Sequence, residues 1–330
     1  MRRVIEVAPE GLFCPAGDFH IDPRRGVARA LITHAHSDHA RPGSQAYLCA
    51  EPGAGLLAAR LGGKANITGI AYGQTVSMDG VRVSFHPAGH VLGSAQIRIE
   101  HHGEVWVVSG DYKLDADPTC CPFEPIRCHT FVSESTFGLP LFHWPPTTEV
   151  VADLHAWWIA NQHAGRTSVI FAYAFGKTQR LLAHLDTSIG PVLVHEAAHR
   201  LLACYRAAGV PLPPVAPATD ENIRRIAGRG LVIASPTSDP SALLNLSGPP
   251  STAFVSGWML LRKMQRDRGV GRGVGRGFVL SDHADWTGLV TAIGASGANL
   301  VLTTHGYAEP LARYLRENGR PAEVLPTHRG

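Results

Sequence analysis

Four potential metal ligands lie within six residues near the start of the chain, in the segment HAHSDH at positions 34–39. In an extended loop, the side chains at 34, 36 and 38 project to the same side. A helical turn starting at Asp38 or His39 would direct those two side chains toward a second position. Because imidazole and carboxylate groups are ligands of divalent metals, the segment predicts two adjacent ions rather than a histidine-rich surface loop.

Three further ligand candidates each follow a strand-like apolar run: His90 after VRVSF, Asp111 at the end of EVWVVSGD, and His305 at the end of NLVLTTHG. Taken singly, each has an ordinary structural alternative, such as a core histidine or a turn aspartate after glycine. Because all three follow strands, we expect them to open on the same edge of a sheet and to complete the two coordination shells.

The elements that must position these side chains change character along the chain. Up to about residue 135 short strands dominate, and QIRIE and EVWVVS flank the turn HHG as a hairpin. From Thr147, a helix with a threonine start and a glycine stop precedes alternating strands and helices, which favours an α/β unit. After the glycine-rich, basic loop at 266–277 the predicted order is strand, helix, strand, helix.

The composition excludes several classes of protein. With 330 residues, 45% hydrophobic and 17% charged, the chain can bury a sizeable core and is not a disordered polymer. Its formal charge of +3 neither demands nor excludes a polyanionic partner. The six cysteines form no C-x-x-C pair, and the sequence has neither an apolar signal segment nor a membrane span. We therefore expect a cytoplasmic protein with no membrane association.

The motifs THAHSDHA, PAGHVLGSA, SGD and TTHG, in this order, resemble those of the metallo-β-lactamase fold. SESTFG, SDHAD and TTHG resemble the additional motifs of its β-CASP nuclease branch. The resemblance spans essentially the whole chain and implies an α/β fold, an αββα sandwich with an inserted α/β domain. The implied divisions are 1–146 and 277–330 for the sandwich and 147–276 for the β-CASP insert.

Within that branch, GLFCPAGDFHIDP, ARPG and SGDYKLDADPTCCPFEP are most similar to bacterial ligase-associated DNA exonucleases, which are relatives of Artemis and the DNA cross-link repair nucleases. The resemblance implies two divalent ions, zinc or manganese, that share a bridging hydroxide as the nucleophile. The implied ligands are His34, His36 and His90 for one ion and Asp38, His39 and His305 for the other, with Asp111 bridging.

The resemblance also implies roles for residues around the metals, and it makes Asp38, Asp111, His283 and Glu134 catalytic. His283 would face the scissile phosphate, and Glu134 would orient its ring. The alternative for His283 is a structural place before the helix ADWTGL. Asp22 would be a carboxylate behind the metal ligands, with Asp18 as its rival.

Substrate contacts are expected in the insert. Lys177, with the amides at the start of its helix, would receive a phosphate, although an ordinary helix start is an equal alternative. Arg272 and Arg276 belong to a basic tract that would contact a nucleic-acid backbone or remain a solvated loop. Trp144 and Trp258 could stack on bases, but packing is the more common role of tryptophan.

These features lead to the hypothesis of a two-metal DNA exonuclease that acts 5′→3′ on single-stranded ends in DNA repair, in functional association with a DNA ligase. A β-CASP ribonuclease is the alternative. His305 permits it, because the cross-link repair lineage usually has an aliphatic residue there, although the bacterial group keeps the histidine. A thioester or lactone hydrolase on the same scaffold is disfavoured by Glu134 and His283.

Overall fold

A computed structural model describes residues 3–236, 250–261 and 275–326. It divides the chain into a first unit, Met1–His143 with His283–Gly330, and a second unit, Trp144–Asp282. The boundaries predicted from the sequence, after residues 146 and 276, lie three and six residues from these divisions. Strands and helices are numbered along the chain below.

Two sheets form the first unit. The first sheet has strands β1 to β6 in sequence order, at Glu6–Ala8, Gly11–Cys14, Phe19–Ile21, Arg29–Ile32, Ala46–Ala50 and Ile67–Ile70. The second sheet consists of β7 (Thr75–Met78), β8 (Val81–Pro87), β9 (Ala95–His101), β10 (Glu104–Val108), β11 (Thr130–Glu134), β18 (Leu300–Thr304) and β19 (Ala322–Val324). Its spatial order is β19-β18-β11-β10-β9-β8-β7.

The pairing in the second sheet changes direction at its centre. β8, β9 and β10 are antiparallel neighbours, and β9 and β10 form the predicted hairpin. β10, β11, β18 and β19 are parallel, and Glu134 at the end of β11 lies opposite Thr304 at the end of β18. The residues that follow β10, β11 and β18 therefore leave the sheet at one edge.

Apolar residues line both faces of the second sheet. Val132 and Leu302 share one buried cluster with residues of the first sheet such as Phe19. The preceding residues, Phe131 and Val301, belong to a second cluster, because successive side chains in a strand point to opposite faces. That cluster includes side chains of α6 (Trp286–Ser296) and α7 (Ala308–Glu317). One further helix of this unit, α1, spans Ala54–Leu61, after a 3-10 turn at Glu51–Gly53.

The second unit is built on one parallel sheet. Its strands are β12 (Ser168–Phe171), β13 (Val192–Val194), β14 (Ala216–Pro217), β15 (Leu231–Ala234), β16 (Ser251–Val255) and β17 (Arg276–Phe278), in the order β14-β13-β15-β12-β16-β17. The helices are α2 (Thr147–His163), α3 (Lys177–His184), α4 (Glu196–Ala207) and α5 (Asp220–Arg225). β12, β13 and β15 are buried throughout, as strands covered on both faces must be.

The predicted α/β class is confirmed by this mixture of sheets and helices. Within the residues that the structure describes, none of the helices has both the length and the apolar character that a membrane span requires.

Candidate active site

The loop after β4 carries three histidines and contains one turn, at residues 37–39. In this turn the amides of His39 and Ala40 donate to the carbonyl oxygen of His36, at 3.2 and 2.8 Å. The chain then continues as irregular backbone toward β5, because Pro42 lacks an amide hydrogen and cannot extend the turn into a helix. The helix start that the sequence suggested at Asp38 or His39 is thereby replaced by a single turn.

Asp22 orients two of these histidines through their Nδ1 atoms, one directly and the other through Thr33. Its carboxylate accepts hydrogen bonds from the amide of Thr33 at 2.8 Å and from the Thr33 hydroxyl at 2.6 Å, and it lies 2.7 Å from Nδ1 of His39. Because the Thr33 hydroxyl donates to Asp22, its oxygen can accept a hydrogen bond from the Nδ1–H of His34, 3.1 Å away. With the proton on Nδ1, each ring in its neutral form presents Nε2 with a lone pair, the form in which imidazole ligates a metal.

One carboxylate oxygen lies among four imidazole nitrogens. Oδ2 of Asp111 is 3.5 Å from Nε2 of both His34 and His39. It is 3.8 Å from Nε2 of His90 and 3.9 Å from Nδ1 of His283. These separations are too long for hydrogen bonds. Two ligands that each lie about 2.1 Å from a tetrahedral ion are about 3.4 Å apart, so the spacing fits a metal centre.

The donor atoms themselves also fit a divalent ion. Nε2 of His34 is buried and has no hydrogen-bond partner in the described residues, a state that costs about 1–3 kcal/mol unless another ligand satisfies the atom. Nε2 of His90 lies 3.1 Å from Nδ1 of His36. His34, His36, His90 and Asp111 each contribute one ligand atom to a group whose members all lie within 4.8 Å of one another.

Burial and neighbouring charges separate the protonation states of this cluster. Burial, followed by the charges of the neighbouring histidines, holds the pKa of His34 well below its usual value, so its ring is neutral near pH 7. Burial also lowers the pKa of His39, but Asp111 and Asp22 outweigh it and raise that pKa to about 10. Burial raises the pKa of Asp111, but the positive charge of His39 and other histidines outweighs it and the net shift is downward.

The remaining predicted ligands lie around His39 more loosely. The Asp38 side chain is 67% exposed, and its Oδ2 lies 3.7 Å from Nε2 of His39. The ring centroids of His39 and His305 are 5.5 Å apart. His305 has a left-handed backbone, with φ 59°, which few residues other than glycine adopt. Both side chains line a cavity of about 110 Å³ together with Asp22 and Glu134.

His283 is held by a buried glutamate. Its Nδ1 lies 3.0 and 3.2 Å from the two carboxylate oxygens of Glu134, which is 1% exposed. Glu134 also accepts a hydrogen bond from the amide of Tyr112 at 2.7 Å, and the amide of Ala284 donates to the carbonyl oxygen of Tyr112 at 2.7 Å. These contacts fix the His283 backbone and ring, and a proton on Nδ1 leaves Nε2 for other partners.

Two carboxylates close in sequence to predicted site residues have local structural roles. Asp285 caps α6 by accepting a hydrogen bond from an amide in its first turn at 2.8 Å, so the cap of this helix is not His283. Asp18 accepts a hydrogen bond from the half-buried Arg29 at 2.8 Å. The structure therefore places Asp22, and not Asp18, against the histidine cluster.

Sequence reasoning missed two residues that support the cluster. The Thr33 hydroxyl links Asp22 to His34. Gly110 has φ 57°, and a Cβ at this position would lie 2.6 Å from Cβ of Thr33. Only glycine therefore lets the strand end that carries Asp111 approach the loop this closely. The sequence offered one signal for each of them: Thr33 directly precedes the predicted ligand His34, and Gly110 directly precedes the predicted ligand Asp111.

Lys177 has a structural role in place of the predicted substrate contact. It is 3% exposed, and its ammonium donates to the carboxylate of Asp282 and to the carbonyl oxygen of Leu280. At the start of α3 the amide of Gly176 donates to the side chain of Gln179 at 2.8 Å. A buried and paired ammonium beside an amide that is already bonded is not available to a phosphate.

The other predicted substrate contacts differ in their surroundings. Arg272 lies outside the described residues. The Arg276 side chain is 40% exposed and bonds Asp153 at 2.9 Å. Trp144 is half-buried, whereas Trp258 is 42% exposed.

Comparisons with known proteins show relatives for most of the chain, although no family model matches it. A probable DNA ligase of Opitutus terrae is 33% identical over 322 residues, which are 96% of this chain and 30% of that protein. Endoribonuclease ysh1 of Aspergillus fumigatus is 29% identical over 214 residues, which are 61% of this chain and 23% of that protein. The chain thus spans less than a third of the length of these two relatives.

A solved structure shares the fold. It is a protein of unknown function from Enterococcus faecalis V583, with a TM-score of 0.60 and 14% sequence identity. The alignment covers 92% of this chain and 80% of that chain.

Proposed function

This chain belongs to the metallo-β-lactamase/β-CASP nuclease family, and on that basis we propose that it is a metal-dependent phosphodiesterase that degrades DNA 5′→3′ from single-stranded ends. The observation that carries the proposal is the position of Oδ2 of Asp111, 3.5–3.9 Å from nitrogens of four histidines. The two sheets of the first unit are assigned to the αββα sandwich, and the second unit to the β-CASP insert.

Two divalent ions, zinc or manganese, would occupy the cluster. The assigned ligands are His34, His36 and His90 for one ion and Asp38, His39 and His305 for the other, with Asp111 shared. When bound, such ions supply Lewis-acid stabilisation of the charge that develops on the phosphodiester. The Asp22 carboxylate and the Thr33 hydroxyl hold the rings of His39 and His34 in the tautomer that ligation needs.

His283 is assigned to the substrate rather than to a metal. With the Nδ1 proton bonded to Glu134, its Nε2 is the nitrogen that can donate a hydrogen bond to a phosphate oxygen or a proton to the leaving oxygen. The negative charge of Glu134 favours the imidazolium form that such a donor requires. A thioester or lactone hydrolase has no corresponding need for this pair.

The DNA assignment rests on the similarity to part of a probable DNA ligase, because an enzyme that trims strand ends prepares them for joining. A functional association with a DNA ligase follows from the same similarity. The second candidate is a β-CASP ribonuclease. It is favoured by the similarity to an endoribonuclease and by His305, which lies beside His39.

The test is degradation of DNA and RNA strands that are labelled at the 5′ or the 3′ end, with and without added Mn²⁺ or Zn²⁺. Early release of the 5′ label as mononucleotides from single-stranded DNA supports the proposal. Preferred degradation of RNA, whether inside the strand or from its 5′ end, supports the ribonuclease. Failure to release nucleotides from any strand under every metal condition would refute both, and metal analysis of the purified protein identifies the ion.

A further inference from the structure

Two exposed aromatic side chains mark one edge of the sheet in the second unit. Tyr173 is 60% exposed and Trp258 is 42% exposed, and they are the two aromatic residues among the large hydrophobic side chains exposed in the described part of the chain. Tyr173 follows β12 by two residues, and Trp258 follows β16 by three. Because these strands are parallel neighbours, both side chains lie beyond the carboxyl edge of the sheet, where open α/β sheets bind ligands.

The backbone that carries the two rings is fixed. The carbonyl oxygen of Tyr173 accepts hydrogen bonds from the amide and the hydroxyl of Thr178, in the first turn of α3, at 3.1 and 2.8 Å. The amide of Trp258 donates to the hydroxyl of Ser256 at 3.3 Å. Rings on a backbone held in this way lose little conformational entropy when they bind a ligand.

The charge of the second unit indicates the kind of ligand. The segment Trp144–Asp282 contains fourteen Lys and Arg residues and nine Asp and Glu residues, a formal charge of +5. The first unit contains sixteen and eighteen, a formal charge of −2. Exposed aromatic rings on a positively charged unit are the combination that binds single-stranded nucleic acid, with rings for the bases and cations for the backbone.

We propose that Tyr173 and Trp258 form a stacking site for the nucleobases of a single-stranded nucleic acid. This inference rests on the proposed function, since it gives the same enzyme a place to hold the strand that it degrades. Every base has a flat aromatic face, so stacking accepts any sequence. Such a site suits an enzyme that progresses along a strand whatever its sequence.

The experiment measures the Kd of the full chain for phosphorothioate oligothymidylate, which resists hydrolysis, and for an abasic strand of the same length and linkage. Tyr173→Ala and Trp258→Ala should each raise the Kd for oligothymidylate by about 10-fold and leave the Kd for the abasic strand unchanged. Tyr173→Phe and Trp258→Phe keep a ring and should bind nearly as the wild type does. Ile159→Ala is the matched control, since Ile159 is exposed on α2 of the same unit.

The turnover of bis(p-nitrophenyl) phosphate, a diester without nucleobases, separates failure of this inference from failure of the proposed function. If the wild type hydrolyses this diester and DNA, and the alanine variants bind oligothymidylate normally, the stacking site is overturned and the nuclease stands. If the wild type hydrolyses neither and the alanine variants still lose oligothymidylate selectively, the stacking site stands and the nuclease falls. Equal weakening toward the abasic strand overturns stacking, because it indicates a change in charge or folding.

Discussion

The two units of this chain differ in their formal charge and in the exposure of their candidate functional side chains. The first unit has a formal charge of −2 and buries histidines and carboxylates at the edge of a mixed sheet. The second has a charge of +5 and exposes two aromatic rings beyond a parallel sheet. The overall charge of +3 conceals this division. On the proposed function, the first unit would carry the chemistry and the second unit would bind the polyanion.

Binding of metal ions would change the sign of the formal charge of the first unit. Its carboxylates repel a phosphodiester backbone, but two divalent ions add four positive charges and turn a formal charge of −2 into +2. On the proposed function, the first unit would then attract its substrate only when the ions are bound. The second unit carries its positive charge in its own side chains and needs no ion for it.

The largest effect is expected for Asp111→Asn, which removes the charge that lies among the four imidazoles. Strand hydrolysis should fall by about 10⁴-fold, because a metal centre supplies several kcal/mol of transition-state stabilisation. The affinity for the phosphorothioate strand should fall far less than the rate of hydrolysis, because the second unit keeps its formal charge of +5 without any ion. Asp115→Asn, which changes an exposed carboxylate four residues away, is the control. A matching loss of strand affinity in Asp111→Asn would contradict the division between the units.

His283→Ala should lower strand hydrolysis by about 10³-fold, the contribution of a well-placed proton donor, with unchanged metal content by elemental analysis. Asp111, Glu134 and His283 also bring ligand atoms within 4.8 Å of one another, so this group of three could itself hold an ion. Loss of an ion from the variant would therefore make His283 a ligand. His143→Ala, an exposed histidine of the same unit, controls for loss of an imidazole.

Lys177→Met addresses stability in the second unit. It leaves the buried Asp282 carboxylate without its ammonium partner and should lower the free energy of unfolding by about 3 kcal/mol. Denaturation in urea measures this loss, and the double variant with Asp282→Asn should recover part of it. If Lys177 contacted phosphate instead, the single variant would keep its stability and lose strand affinity.

The smallest effect is expected for Arg276→Ala. Its bond to Asp153 lies at the surface, so the free energy of unfolding should change by less than about 0.5 kcal/mol. If Arg276 contacts a phosphate, the slope of log K against log salt for a single strand should become shallower by about 0.7. Arg200→Ala, another exposed arginine of the second unit, should leave that slope unchanged.

The candidate metal cluster could be predicted from the sequence because its ligands come from short motifs at the ends of strands. The place of Asp22 behind the metal ligands could also be predicted from such a motif. Thr33 and Gly110 were not, because their roles depend on how closely two loops approach. That distance is set by the packing of two sheets and leaves no periodic pattern in the sequence.

In the second unit the sequence was less informative. Lys177 at a helix start suggested a phosphate contact, since its partner Asp282 lies 105 residues later and is unrecognisable before the fold is known. The apolar run SVIFAYAF at 168–175 contains Tyr173 as well as β12, and nothing in the run marks where the strand ends. The strand ends at Phe171 and leaves Tyr173 exposed, and only the register of the sheet reveals that Trp258 follows the neighbouring strand.

The parallel pairing of β11 with β18 has a consequence for how the protein is made. Glu134 lies opposite Thr304, 170 positions later, and a ribosome that adds about 5–20 residues per second needs about 10–30 s to cover that interval. During this time the nascent chain has its first histidine motif but lacks His305, and until residue 283 is added it also lacks His283. On the proposed function, a chain arrested on the ribosome before residue 283 is expected to be inactive until elongation resumes and would leave the nucleic acids around it intact.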